Sequence, residues 1–197
     1  MPDFAKFSRL KNRTLVTLFK KLPKVPKKLV QEFRALLFSL KSSTEAPLSK
    51  LKKIYDYQEE YNAFVSTFSV CKPKCSHCCR ISVQITELEA QYISGHTGRK
   101  IQISRQPRSS SVLENPCPFL DKNELCSIYE FRPFNCRAFH TLDNPNFCKD
   151  PNFPHIVYGC AEFEYGSDIL RELRDVTLSL NVSLRPRLPL ADIRDFF

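Results

Sequence analysis

Nine cysteines carry the chemistry legible in this 197-residue chain. Four of them stand within nine residues, as Cys71-Lys-Pro-Lys-Cys75-Ser-His-Cys78-Cys79-Arg80. Thiols that only fill core space have no reason to recur at this density. Thiolates around a metal ion or an iron–sulfur cluster do, because such a centre takes about four soft ligands presented on tight turns. Pro73 stiffens the first turn, and the small Ser76 lets the second one close. Neighbouring side chains diverge, so the adjacent Cys78 and Cys79 are expected to serve two sites, or one of them to stand behind the ligands. Buried thiols and disulfides are the competing readings.

A second block of thiols follows. Cys117-Pro-Phe-Leu-Asp121 presents one before a polar turn, and Cys126-Ser-Ile-Tyr-Glu-Phe-Arg-Pro133 another, opening one or two helical turns that stop at Pro133. Cys136-Arg137, Cys148 in a Pro- and Asn-rich loop, and Cys160 complete the set. Four thiolates on Zn²⁺ or on a [4Fe–4S] core leave a net negative charge that neighbouring cations must offset. Arg80, Arg132 and Arg137 each lie within a few residues of a cysteine and suit that role, although Arg132 can equally pair with Glu130. His77 and His140 are candidate zinc ligands or hydrogen-bonding neighbours. Tyr129, Phe134 and Phe139 are expected to pack over the site and exclude water.

The totals bound the rest. A hydrophobic content of 42% is that of a globular chain, and no apolar stretch approaches the ~20 residues that span a bilayer. The N-terminus lacks an apolar core followed by a cleavage site, so it does not read as a secretory signal. Nine cysteines without such a signal argue for a reducing, cytoplasmic setting, and the odd count would strand one thiol in a disulfide framework. Only four glycines occur and no Gly-x-Gly pair, which argues against a glycine-rich dinucleotide turn or a Walker-type phosphate loop. The net charge of +9 is uneven. Residues 1–53 hold fourteen Lys and Arg against three Asp and Glu, whereas the remainder is slightly acidic.

The elements that must position these thiols read as mainly α. A short apolar run at Leu15, Val16, Leu18 and Phe19 lies in the basic N-terminal stretch. Leu29, Val30, Phe33, Leu36, Leu37 and Leu40 then recur at helical spacing among Lys27, Lys28, Arg34 and Lys41. Such a basic helix can lie on anionic lipid, grip nucleic acid, or dock on the domain with its charges solvated. A second helix is expected from Leu48 to about Val70. After the cysteines, residues 81–85 alternate like a short strand, and Thr86-x-x-Glu89 is a capping box for a helix that Gly95 is placed to end. Residues 100–111 read as an exposed loop and Ser167–Leu180 as the last helix, with Cys160 at its entrance. The segment from Arg185 onward looks too proline-rich for a core element. The expected organisation is a basic amphipathic helical extension (1–47), a small cysteine-rich metal-binding domain with irregular loops (48–180) and a proline-containing tail (181–197).

The pattern Cys71-x3-Cys75-x2-Cys78-Cys79, Cys117-Pro-Phe-Leu, Cys126-x-Ile-Tyr-Glu-x-Arg-Pro133 and Cys136-Arg resembles the YkgJ-type cysteine-cluster family, a group described as zinc- or iron-chelating and also called iron–sulfur-cluster proteins. The resemblance covers roughly residues 68–160. It implies Cys71, Cys75, Cys78, Cys79, Cys117, Cys126 and Cys136 as ligands. It also implies one more downstream, Cys148 or Cys160, with the other spare. The three-residue gap between Cys71 and Cys75 departs from the two found in many members.

The leading functional expectation is metal or iron–sulfur binding, structural or for electron transfer. The competing class is a zinc-stabilised interaction module whose basic extension docks on nucleic acid, ribosome or membrane. A third is an enzyme that uses the cluster, as in relatives implicated in methylating protein lysines. No Ser-His-Asp arrangement or compelling carboxylate pair supports catalysis here.

Overall fold

The computed structural model describes residues 22–72, 74–102, 115–149, 155–160, 167–187 and 189–197. The apolar run at 15–19, the turn at Pro73 and most of the expected loop at 100–111 lie outside them.

Helix α1 (Lys27–Ser42) follows Pro26, and its apolar stripe buries Leu29, Phe33 and Leu40. Pro47 occupies the first turn of α2 (Pro47–Val65), where its missing N–H costs nothing. Between them, Lys50 Nζ donates to the carbonyls of Leu40 (2.9 Å) and Ser43 (2.6 Å), a cation closing the exposed carbonyl end of α1. Leu51, Ile54, Tyr61 and Val65 of α2 have no exposed surface. Tyr57 Oη donates to Leu29 O at 2.9 Å, so the basic helix docks on α2.

Helix α3 (Glu87–Thr97) begins with the capping box read from the sequence. Glu89 N donates to Thr86 Oγ1 (3.1 Å), and Thr86 N donates to Glu89 Oε2 (2.8 Å). Its stop differs from expectation. Gly95 lies within the helix, and Gly98, at φ +69°, ends it, because the left-handed cap falls three residues later. Helix α4 (Phe134–Ala138) starts after Pro133. Helix α5 (Asp168–Ser183) is capped by Ser167, whose Oγ accepts from Leu170 N at 3.3 Å.

The strands are two residues each. β1 (Gln84–Ile85) pairs antiparallel with β4 (Ala191–Asp192), and β2 (His140–Thr141) with β3 (Val157–Tyr158). Short 3₁₀ turns at His77–Arg80, Tyr129–Phe131, Pro145–Lys149 and Ile193–Asp195 carry much of the remaining chain. The architecture is thus mainly α with irregular cysteine-bearing loops.

The C-terminal segment corrects the expectation of a tail without core residues. Ile193 and Phe196 are buried in a second apolar cluster with Ile85, Ala90, Ile93, Phe119 and Ile128. Asn181 of α5 ties it down: its Nδ2 donates to Pro189 O (2.8 Å), and its Oδ1 accepts from Leu88 N (3.0 Å). The prolines end at Pro189, and the sequence beyond pairs as a strand.

Candidate metal centre

Tight turns present the thiols. Lys74, at φ +70°, turns the chain into Cys75, and the 3₁₀ turn His77–Arg80 then delivers Cys78 and Cys79. A compact hairpin joins Cys117 to Cys126. In it Asp121 Oδ1 accepts from Asn123 N (2.7 Å) and Leu125 N (2.9 Å), while Glu124 adopts φ +61°. Glu124 clamps the two loops together, accepting from Ser76 Oγ and from Arg80 Nη2 at 2.7 Å. Cys117 N donates to Cys79 O at 2.7 Å, which fixes their spacing. Glu89 holds the third piece. Its Oε1 accepts from Phe134 N (2.7 Å) and Tyr55 Oη (3.0 Å), fastening the helix that bears Cys136 to α2 and α3.

The result is one cavity of about 620 Å³ faced by seven of the nine cysteines: Cys75, Cys78, Cys79, Cys117, Cys126, Cys136 and Cys160. Tyr129, Phe134 and Phe139 line it as well. Cys78 and Cys79, carried by one 3₁₀ turn, both line this cavity. Among the described residues, no three His, Cys, Asp or Glu side chains converge on one point closely enough to hold a metal ion. The sulfurs surround a volume instead.

The donor set nevertheless suits a soft cation. The Cys79 hydrogen bond and burial push the Cys78 thiol far up. Burial, then the neighbouring Cys78, Cys117 and Cys126, push up Cys136. Burial raises Cys117 to about 11 and raises Cys126 as well. These four thiols thus resist ionising, and a bound cation is the charge that reverses this. Zinc or iron would supply soft Lewis acidity here, and in the case of an iron–sulfur cluster, one-electron redox chemistry.

Cys71 and Cys148 are not among the residues that line the cavity. Cys71 Sγ accepts from Thr141 N at 3.3 Å, and Cys148 Sγ lies 3.5 Å from His155 Nε2. Burial raises Cys148 to about 11 against the lowering effect of Thr141, and the neighbouring Cys71, Cys75 and Cys78 add to the rise. Cys148 and Cys160 therefore occupy different places. Cys160 also corrects its expected setting, since α5 begins at Asp168 and Cys160 instead follows β3; its Sγ donates to Asn135 Oδ1 at 3.7 Å.

The other candidates fall at graded distances from the thiols. Arg132 lines the cavity with its guanidinium 3.6 Å over the Tyr129 ring, and its charge favours the thiolate forms of Cys78, Cys126 and Cys136. Arg80 pairs with Glu124. Arg137 points to Glu59 (3.1 Å), the Arg132 carbonyl (2.7 Å) and the Tyr55 ring, bracing α4 against α2. His140 Nε2 is engaged by Asn62 Oδ1 at 3.1 Å, and burial lowers the ring to about 4, so it stays neutral. Burial, then Lys149 and Arg80, also lower His77.

Sequence reasoning missed Arg194. Its buried guanidinium donates to the carbonyls of Asn115 (2.6 Å), Cys79 (3.1 Å) and Ile81 (3.3 Å). It thereby locks the Cys79 loop to the approach of Cys117. Asp192 orients it, accepting from Arg194 Nη1 at 2.8 Å while its other oxygen accepts from Val83 N (2.9 Å) and Ser82 Oγ (2.8 Å). The local signal was Asp192 ahead of Ile193 and Phe196, three residues apart.

A thiol-rich pocket on tight turns, braced by arginines, defines a metal-chelating domain. Residues 70–155 match the CxxCxxCC family, "Putative zinc- or iron-chelating domain", of which YkgJ-type is another name. The match is to that stretch alone. It takes in Cys71 to Cys148, under half of the chain, and leaves Cys160, α1, α2, α5 and β4 outside. No curated protein and no solved structure matches the chain.

Proposed function

We propose that the cavity thiols hold an iron–sulfur cluster that serves electron transfer. The carrying observation is the donor set. Among the described residues the cavity is faced by seven cysteines and by no histidine, and purely thiolate ligation suits iron–sulfur centres. Arg132 beside those sulfurs would offset the cluster's charge and so raise its potential. Cysteines kept reduced for this purpose fit the cytoplasm. Protein prepared without oxygen should be brown, contain iron and acid-labile sulfide, and bleach with dithionite. Colourless protein holding zinc as its only metal would overturn the reading and remove electron transfer, because Zn²⁺ has no accessible redox state.

A second reading, a zinc-stabilised interaction module, is favoured by the outward face of α1. Lys27, Arg34 and Lys41 are exposed there around Phe38, which is 75% exposed. A basic face with a projecting aromatic ring suits an anionic partner, whether bilayer, ribosome or nucleic acid. Binding to anionic vesicles or to RNA that weakens steeply with salt and is lost in Phe38→Ser with Arg34→Gln would support it. Salt-insensitive or absent binding would end it.

A further inference from the structure

The cavity is much larger than a thiolate-bound metal requires. A tetrahedral zinc site has Zn–S bonds of about 2.3 Å and fills little beyond its own four sulfurs. The cavity as a whole, about 620 Å³, falls in the ~300–1,000 Å³ range of small-molecule sites. Its lining is also mixed in chemistry. Besides the cysteines it includes a second group, Arg174, Thr177 and Leu178 of α5 with Leu190 and Ile193 beyond it. That second group lies wholly outside the matched metal-chelating stretch. Leu190 and Tyr129 are large apolar side chains exposed at the rim, which gives an apolar ligand a way in.

Arg174 sets the ligand's charge. Among the described residues its buried Nε has no hydrogen-bond partner, and the nearest carboxylate oxygen, Asp175 Oδ1, is 3.9 Å away, beyond hydrogen-bond range. A guanidinium presents Nε and Nη as a planar fork that matches the two oxygens of a carboxylate. A buried arm of that fork left unmet in a cavity wall is a donor awaiting an acceptor. We propose that the space between the thiols and α5 is a binding site for a small organic carboxylate with an apolar body. Its carboxylate sits on Arg174, and its body lies along Leu178, Leu190 and Ile193. The metal centre then has a ligand pocket beside it, which a purely structural site would not need.

The test is calorimetry on the metal-loaded full chain, with 4-phenylbutyrate as the probe and its alcohol and amine counterparts as charge controls. The acid should bind one to one, the alcohol roughly ten-fold more weakly, and the amine more weakly still. Arg174→Met, which keeps the apolar stem, should weaken only the acid, to the level of the alcohol. Arg174→Lys should restore part of the loss. Leu178→Trp should abolish binding of both acid and alcohol by filling the cavity, with folding checked by circular dichroism. Metal content is measured on every sample, so loss of metal and loss of the carboxylate site are read separately. Equal binding of the three probes, no binding of the acid, or an Arg174→Met protein that binds the acid undiminished would overturn the proposal.

Discussion

The helical part and the cysteine-bearing part of this molecule are held together in different ways. Helices α1, α2, α3 and α5 share one apolar cluster, to which α4 adds Phe134 and Ala138. A run of aromatic contacts from Phe33 through Tyr57, Tyr61, Phe64 and Phe68 to Tyr158 threads it, with ring centroids 5.3–6.1 Å apart. The cysteine loops have two-residue strands and 3₁₀ turns of three to five residues. Few ladders satisfy their backbone, so side chains do: Arg194, Asp192, Glu89 and Arg137 bond carbonyls and amides from loop to loop. Burial stabilises the first part in proportion to the apolar area it removes from water. The second has the smaller cluster around Phe119 and Ile128 and relies more on cross-links, of which a bound metal would be the strongest.

The widest separation of the two should come from the metal. Cys136→Ser or Cys78→Ser should lose metal and loosen residues 115–149 together, since a structural thiolate site contributes on the order of 10 kcal/mol. Hydrogen exchange should show this loss confined to the cysteine loops, with α2 amides still protected. A folded, metal-loaded Cys136→Ser protein would deny that residue its place as a ligand.

Shortening the chain to begin at Pro47 strikes the other side. It removes Leu29, Phe33 and Leu40 from the surface of α2. Burying one such side chain contributes about 1.5–3 kcal/mol, so the loss should be about 5 kcal/mol, near the whole stability of a small domain. Molecules that remain folded should carry their usual metal. If the shortened chain melts where the full one does, residues 1–47 are a separable extension, as the charge distribution suggests.

Arg194→Met should fall between these, costing about 2–4 kcal/mol by leaving three loop carbonyls without their donor. Metal affinity should drop roughly ten- to a hundred-fold, as for groups that orient ligands. Arg194→Lys should not restore it, because one ammonium cannot reach all three carbonyls. Full metal affinity in Arg194→Met would show the brace to be dispensable.

The smallest effect should appear in acid. Burial alone would raise the Asp192 carboxyl, but the Arg194 N–H and guanidinium and the Ser82 hydroxyl outweigh it and hold it below the usual range. Its contribution is therefore present above the ordinary value of about 4 and lost as pH falls through the lower folded value. Asp192→Asn should be about 1 kcal/mol less stable at pH 7 by denaturant melting, and the gap should close in acid. An unchanged gap across that range would mean that the carboxylate charge is not what matters.

The sequence by itself determined whatever depends on residues close along the chain. The period of Leu29, Phe33 and Leu40 set α1, Thr86 and Glu89 set the start of α3, and the cysteine spacing set the chemistry of the domain. These signals are local because a helical turn or a capping box closes within four residues. Even there the stop of α3 was misplaced, since two glycines three residues apart offer the same left-handed cap and only packing chooses between them. Tertiary structure alone decided which thiols share the cavity and which lie with Thr141. It also brought Arg174 to that cavity, and Arg194 to the carbonyls of Cys79, Ile81 and Asn115, from the far end of the chain. Two-residue strands carry no periodicity, and the pairing of Gln84 with Asp192 joins segments more than a hundred residues apart. Such contacts form only once the helices between them have packed, so no neighbouring residue announces them.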